Sequence, residues 1–188
     1  MIALGNDVVD LHETPRNGDK YYYRLIQTAF TSDEMDQLPG NFTLKLACAV
    51  LWSAKEAAYK SLKKLGLVQD FNPKDIRVHS LGINPTEIEG VVTYKEISLK
   101  LKISYNEDWV HSTTFFAERD RKWAVVRCDN NYRAQTLAAR KAALEHYHLA
   151  DKIDKTDGIP VLMADGKRLP NELSLSHHGQ FAAFALES

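Results

Sequence analysis

Three short stretches of the chain carry residue types that could do chemistry together. Asp7 interrupts an apolar run at 2–11, IALGNDVVDL, as happens where a strand must turn one side chain toward a site. Gly5, two residues earlier, permits close approach of another group. Trp52, Glu56 and Lys60 are spaced by four and share one helix face, flanked by Tyr59 and Lys63. A helix carboxylate facing a second carboxylate on a neighbouring strand makes a hard-oxygen site suited to Mg²⁺. A lysine one turn further on is placed for the phosphate oxygens that such a metal bridges. The third stretch holds Ser174, Ser176, His177 and His178, where one imidazole and the serine hydroxyls could donate to a phosphate. Successive histidines on a strand point opposite ways, so the pair would not ligate one metal through that strand.

Each stretch also has a plain structural reading. Asp7 could be a turn residue. Glu56 and Lys60 could be an exposed helix pair worth about 0.2–0.5 kcal/mol. One of the two histidines could be buried and hydrogen-bonded and the other exposed. Serine-hydrolase chemistry is poorly supported, because no Gly-x-Ser-x-Gly elbow is present. A P-loop and a dinucleotide fingerprint are also missing.

The elements that must position these residues are legible from periodicity. An opening strand is followed by a helix over 21–29, with 12–20 loop-like, and a short helix at 33–38 capped by Thr31 or Ser32. The strongest helix signal covers 42–65, where Ala47, Val50, Leu51, Ala54, Ala58, Leu62 and Leu65 form one apolar stripe. Residues 71–79 and 90–105 alternate as strands, and 112–128 reads as a hairpin around a charged turn at 118–122. A helix over 132–147 presents Leu137, Ala138, Lys141 and Leu144 to Tyr147 as its face. Residues 150–158 read as a charged loop, Asp165-Gly166 as a hairpin turn, and 174–186 as two final strands. The class is α+β. A weak echo between 113–126 and 173–186 suggests two related halves, joined near 129–131.

With 188 residues, 44% of them apolar and 26% charged, the chain can bury a core. Lys and Arg number 24 against 25 Asp and Glu, which argues against a general nucleic-acid binder while leaving room for a local basic site. No apolar run reaches the roughly 18 residues that span a membrane, and no signal peptide is read at the N-terminus. Cys48 and Cys128 match no metal or redox spacing and read as reduced core residues of a cytoplasmic protein.

Taken together, the Gly5-Asn6-Asp7-Val8-Val9-Asp10, Phe30-Thr31-Ser32-Asp33-Glu34, Trp52-Ser53-Ala54-Lys55-Glu56-Ala57-Ala58-Tyr59-Lys60 and Ser174-Leu175-Ser176-His177 stretches resemble the 4′-phosphopantetheinyl transferase superfamily. The resemblance implies transfer of the phosphopantetheine arm of coenzyme A to a serine of an apo acyl or peptidyl carrier protein, releasing adenosine 3′,5′-bisphosphate. It implies Mg²⁺ held by Asp7 and Glu56, with Lys60 on phosphate and the leaving group. It also implies that Arg133, Ser176 and His177 bind coenzyme A, and that Glu56 or a water on the metal is the base for the carrier serine. Such displacement at phosphorus needs charge neutralisation and alignment more than covalent catalysis.

Departures from the family pattern refine this expectation. The long, two-halved type usually carries a third acid two residues after the first, where this chain has Val9; Asp10 follows instead, as in the short holo-acyl-carrier-protein synthases. The motif order also matches the short type, but the chain is too long for it. The expected fold is therefore two unequal halves, 1–128 and 129–188, in swapped order and packed as a pseudo-dimer, so that one chain rather than an obligate oligomer holds the site. Ile159 stands where the long type usually has a base, and the basic residues of that type's opening strand and helix have no counterpart. Those losses favour an alternative: a degenerate member that binds coenzyme A or a carrier without transfer. A different Mg²⁺–phosphate enzyme, such as a nucleotide hydrolase, is the third reading. Lys55, Lys60, Lys63 and Lys64 suggest a basic helix region, partly facing an acidic carrier.

Overall fold

The computed structural model describes residues 3–117 and 119–187. Ile2 of the expected opening strand and Glu118 of the expected turn lie outside the described residues.

Strand β1 (Gly5–Asp10) leads into helix α1 (Asp19–Ala29), helix α2 (Ser32–Asp36) and the long helix α3 (Leu44–Lys64). The α3 stripe forms as its spacing predicts: Val50, Leu51, Ala54, Ala58 and Leu62 are fully buried. They pack on a meander of β2 (Arg77–Ile83), β3 (Glu87–Tyr94), β4 (Ile97–Tyr105) and β5 (Trp109–Phe115). The alternation over 90–105 is thus two strands, folded back at Lys95-Glu96, with Lys95 in the left-handed region. Strand β1 adds antiparallel to β5, giving the sheet order β1-β5-β4-β3-β2.

The hairpin expected over 112–128 does not form. Strand β5 pairs with β1 and β4, whereas β6 (Arg121–Arg127) pairs with β11 (Phe181–Glu187). A period-two pattern records that a strand has a buried face, not which strand lies beside it. Strand β6, placed with the first half by a boundary at 128/129, therefore belongs by pairing to a second sheet, β10-β11-β6, where β10 is Glu172–His178. Helix α4 (Tyr132–His146) covers that sheet. Its buried face is Gln135, Ala139, Ala142 and Ala143, while Leu137 is 65% exposed, so the expected face is rotated. Alanines there let the helix lie close to the strands. Strand β7 (Lys152–Thr156) occupies the stretch read as a charged loop and forms a small sheet with β8 (Ile159–Ala164) and β9 (Lys167–Arg168). Asp157-Gly158 and Asp165-Gly166, all at positive φ, make its two tight turns.

The second sheet packs against β1, the edge strand of the first. Leu4, Phe115 and Ala185 form one apolar cluster of this seam, and Val8, Phe181 and Ala183 form another. On the opposite face of β1, Gly5 touches α3 so closely that a Cβ would overlap the Ala57 carbonyl and stand 2.7 Å from Ser61 Oγ. No helix among the described residues is long and apolar enough to cross a membrane.

Candidate active site

Close packing of β1 on α3 brings Asp7 beside the helix face that carries Glu56 and Lys60. The Lys60 ammonium donates to Asp7 Oδ1 and to the Asn6 carbonyl, each at 2.9 Å. Burial pushes the Asp7 carboxyl above its usual range, against the pull of Lys60. Glu56 has no hydrogen-bond or ion-pair partner among the described residues. Burial, reinforced by the Asp7 charge and opposed by Lys60, raises its pKa to about 7. Two carboxylates in this condition are a donor set that a hard divalent cation relieves. Among the described residues no cluster of three or more acidic, His or Cys ligands assembles. Mg²⁺ is commonly held by one or two carboxylates with substrate phosphates completing its shell.

Asp7 and Glu56 line a cleft of about 600 Å³ together with His177 and His178. Both histidines line it although they are consecutive on β10, which ends at His178. His178 Nδ1 accepts from the Asp10 amide at 3.0 Å, tying this turn to β1. Burial and the nearby Lys60 charge lower the His177 pKa, leaving a neutral imidazole at the wall.

The remaining expected residues lie elsewhere. Ser176 is buried on the opposite face of β10, where its hydroxyl accepts from Asn6 Nδ2 at 3.0 Å, so it does not wall the cleft. Arg133 is exposed at the start of α4. Its neighbour Tyr132 meets His177 edge-on at 5.5 Å, so this helix end borders the cleft without Arg133 lining it. Lys60, beside Asp7, gives two of its three ammonium protons to Asp7 Oδ1 and the Asn6 carbonyl.

Further residues line the cleft. Lys45, Cys48, Ala49, Trp52 and Glu56 form one continuous face of α3, and Arg16 enters from the loop before α1. Running the spacing of Trp52 and Glu56 backward would have found Lys45; Arg16, in an irregular loop, left no periodic signal. Asp10 also borders the cleft, but its carboxylate accepts from the amides of His12 and Gln180, both at 2.8 Å.

The match to known families falls on this constellation. A family model described as the 4′-phosphopantetheinyl transferase superfamily covers residues 3–114, more than half of the chain. The chain belongs to this superfamily. The matched segment contains Asp7, Glu56 and Lys60, while Arg133, Ser176 and His177 lie beyond it. No curated protein matches the chain. Phosphopantetheinyl transferases act on carrier proteins with coenzyme A as substrate, so membership supports a transferase of this general type.

The basic helix region is partly turned inward. Lys55, expected among the partner-facing lysines, is fully buried and reaches Glu34 at 2.8 Å. It donates as well to the carbonyls of Pro73 and Ile76. Glu34 in turn accepts from the amides of Thr31 and Val78, both at 2.9 Å, closing a capping box at α2. Lys64 is bonded to Glu172 and to the carbonyls of Leu4 and Leu173. Two of the four lysines therefore hold the fold together rather than face a partner.

Proposed function

We propose that this transferase moves the 4′-phosphopantetheine arm of coenzyme A to a serine of an apo acyl or peptidyl carrier protein, with Mg²⁺, releasing adenosine 3′,5′-bisphosphate. The observation that carries the reading is that Asp7, Glu56 and His177 wall one cleft although they are distant in sequence. The carrier serine oxygen bonds to the phosphorus that bears the pantetheine arm. The bond from that phosphorus to the bridging oxygen breaks, and the oxygen leaves with the adenosine bisphosphate. Glu56, at the wall of the cleft, is the candidate base for the serine proton. Asp7 and Glu56 would hold Mg²⁺, which supplies charge neutralisation on the pyrophosphate when bound. Lys60 orients Asp7 and opposes the effect of burial on its carboxyl. His177 donates to the nucleotide portion, and Arg133, next to the Tyr132 that touches His177, is the second residue for it.

All of these residues come from one chain, which supports a single-chain pseudo-dimer of two unequal halves. The division we propose falls between β5 and β6, where the chain changes sheets. The test is incubation with coenzyme A, Mg²⁺ and a panel of apo carriers, read by mass. Addition of the arm that disappears in Asp7→Ala and Glu56→Ala, with the fold retained, is the expected result. Coenzyme A binding without transfer to any carrier would favour the degenerate-binder reading instead.

A further inference from the structure

Between the two apolar clusters of the seam lies one small polar island. Asn6 is fully buried at its centre. Its amide N–H donates to Ser174 Oγ at 3.0 Å, and its Nδ2 donates to Ser176 Oγ at 3.0 Å, so it grips β10 at two successive positions on one face. Nδ2 also meets His111 Nε2 of β5 at 3.1 Å. An amide nitrogen only donates, so Nε2 accepts and His111 is neutral. The Asn6 carbonyl receives the Lys60 ammonium. Its Oδ1 is buried without a partner among the described residues. An apolar residue here would avoid that cost, and Leu4 and Val8, two positions either side on the same strand face, are apolar. A buried polar group in an apolar seam can specify register, because sliding one sheet over the other would leave its partners unsatisfied.

We propose that Asn6 is a positioning residue that sets the register of β10 against β1 and thereby holds His177 across the cleft from Asp7 and Glu56. Ser176 and His177 are consecutive on β10 and face opposite ways, so pinning the Ser176 hydroxyl on the seam side directs the His177 ring to the cleft side. The same residue carries the Lys60 contact on its carbonyl, so one position links the second sheet to the carboxylate pair. The inference rests on the reading of His177 as a coenzyme A contact, and its test is arranged to separate the two.

Asn6→Ala, Asn6→Leu, Ser176→Ala and the Asn6→Ala/Ser176→Ala double variant are compared in the transfer assay with coenzyme A varied. Each single variant should raise KM for coenzyme A about tenfold with kcat within about twofold, and the double variant should be no worse than either single. Asn6→Leu fills the same space without polar atoms. It leaves the Ser176 hydroxyl and His111 Nε2 without their donor, so it should melt below the wild type; at a temperature where it stays folded it should still show the raised KM with kcat retained, which loss of folded protein would not give. Amide hydrogen exchange read on β10 is independent of activity: it should speed up there in Asn6→Leu and stay unchanged in α3 and β2–β4. Additive losses in the double variant, an unchanged KM in Asn6→Leu, or unaltered exchange on β10 would overturn the proposal. Wild-type protein that neither transfers nor binds coenzyme A, with faster β10 exchange in Asn6→Leu, would refute the functional reading and keep the register role.

Discussion

Lys60 stands 2.9 Å from the Asp7 carboxylate, and that contact places a cation beside the two acids of the cleft. Lys60 is the partner that offsets the burial of Asp7 and the charge pressure on Glu56. Lys60→Met should push both carboxyls further up and reduce transfer about a hundredfold near neutral pH, as loss of a positioned electrostatic group does. A rate profile should show the loss shrinking as pH rises and the acids ionise regardless.

Glu56 makes stability depend on pH in a direction opposite to most carboxylates. Its folded pKa of about 7 lies above the ordinary 4.5, so the folded state binds the extra proton between those values. Stability is therefore lost as pH rises through that window. Glu56→Gln should stabilise the metal-free protein at pH 8 by on the order of 1 kcal/mol, and the gain should fade toward pH 4. Urea melts across pH measure this. Added Mg²⁺ should reverse the ranking, since only the ionised wild-type side chain gains from the cation.

The buried pair of Lys55 and Glu34 is a structural test of the Lys-Glu-Ala segment. Lys55→Met removes the cation and leaves Glu34 buried among groups that still donate to it. The cost should be about 3–5 kcal/mol in denaturant unfolding, because an unpaired buried charge is left behind. Glu34→Gln should cost a comparable amount, since buried Lys55 loses its counter-charge and the new amide nitrogen faces groups that donate.

Gly5 tests the β1–α3 contact directly. Gly5→Ala forces a Cβ against the Ala57 carbonyl and Ser61 Oγ. Overpacking of this kind should cost about 1–3 kcal/mol. Because the push moves β1 and Asp7 away from Glu56, transfer should fall more than the loss of folded protein explains. Activity normalised to the folded fraction, measured by circular dichroism, gives that comparison.

Much of the candidate site was readable because its residues sit on strongly periodic elements. Glu56 and Lys60 lie on a helix whose apolar stripe is unambiguous, and Asp7 breaks a run that is otherwise apolar. The Ala-rich α4 was harder: alanine is small enough to face the core, so the larger Leu137 drew the eye to the wrong side. The hairpin over 112–128 misled because both strands alternate, and alternation carries no information about which strand is the neighbour.

The sequence by itself determined the α+β class, the long helix and the residue types of the site, because side-chain period and charge are local properties. It also determined the superfamily, through motifs at a set order and spacing. Only the tertiary structure decided what each group is free to do. Lys55 and Lys64 became internal anchors, Ser176 became a seam contact, and Lys60 became the partner of Asp7. The reason is physical: a charged or hydroxyl group is claimed by whichever partner burial brings within hydrogen-bond distance, and that choice is made by packing across chain separations that local pattern does not record.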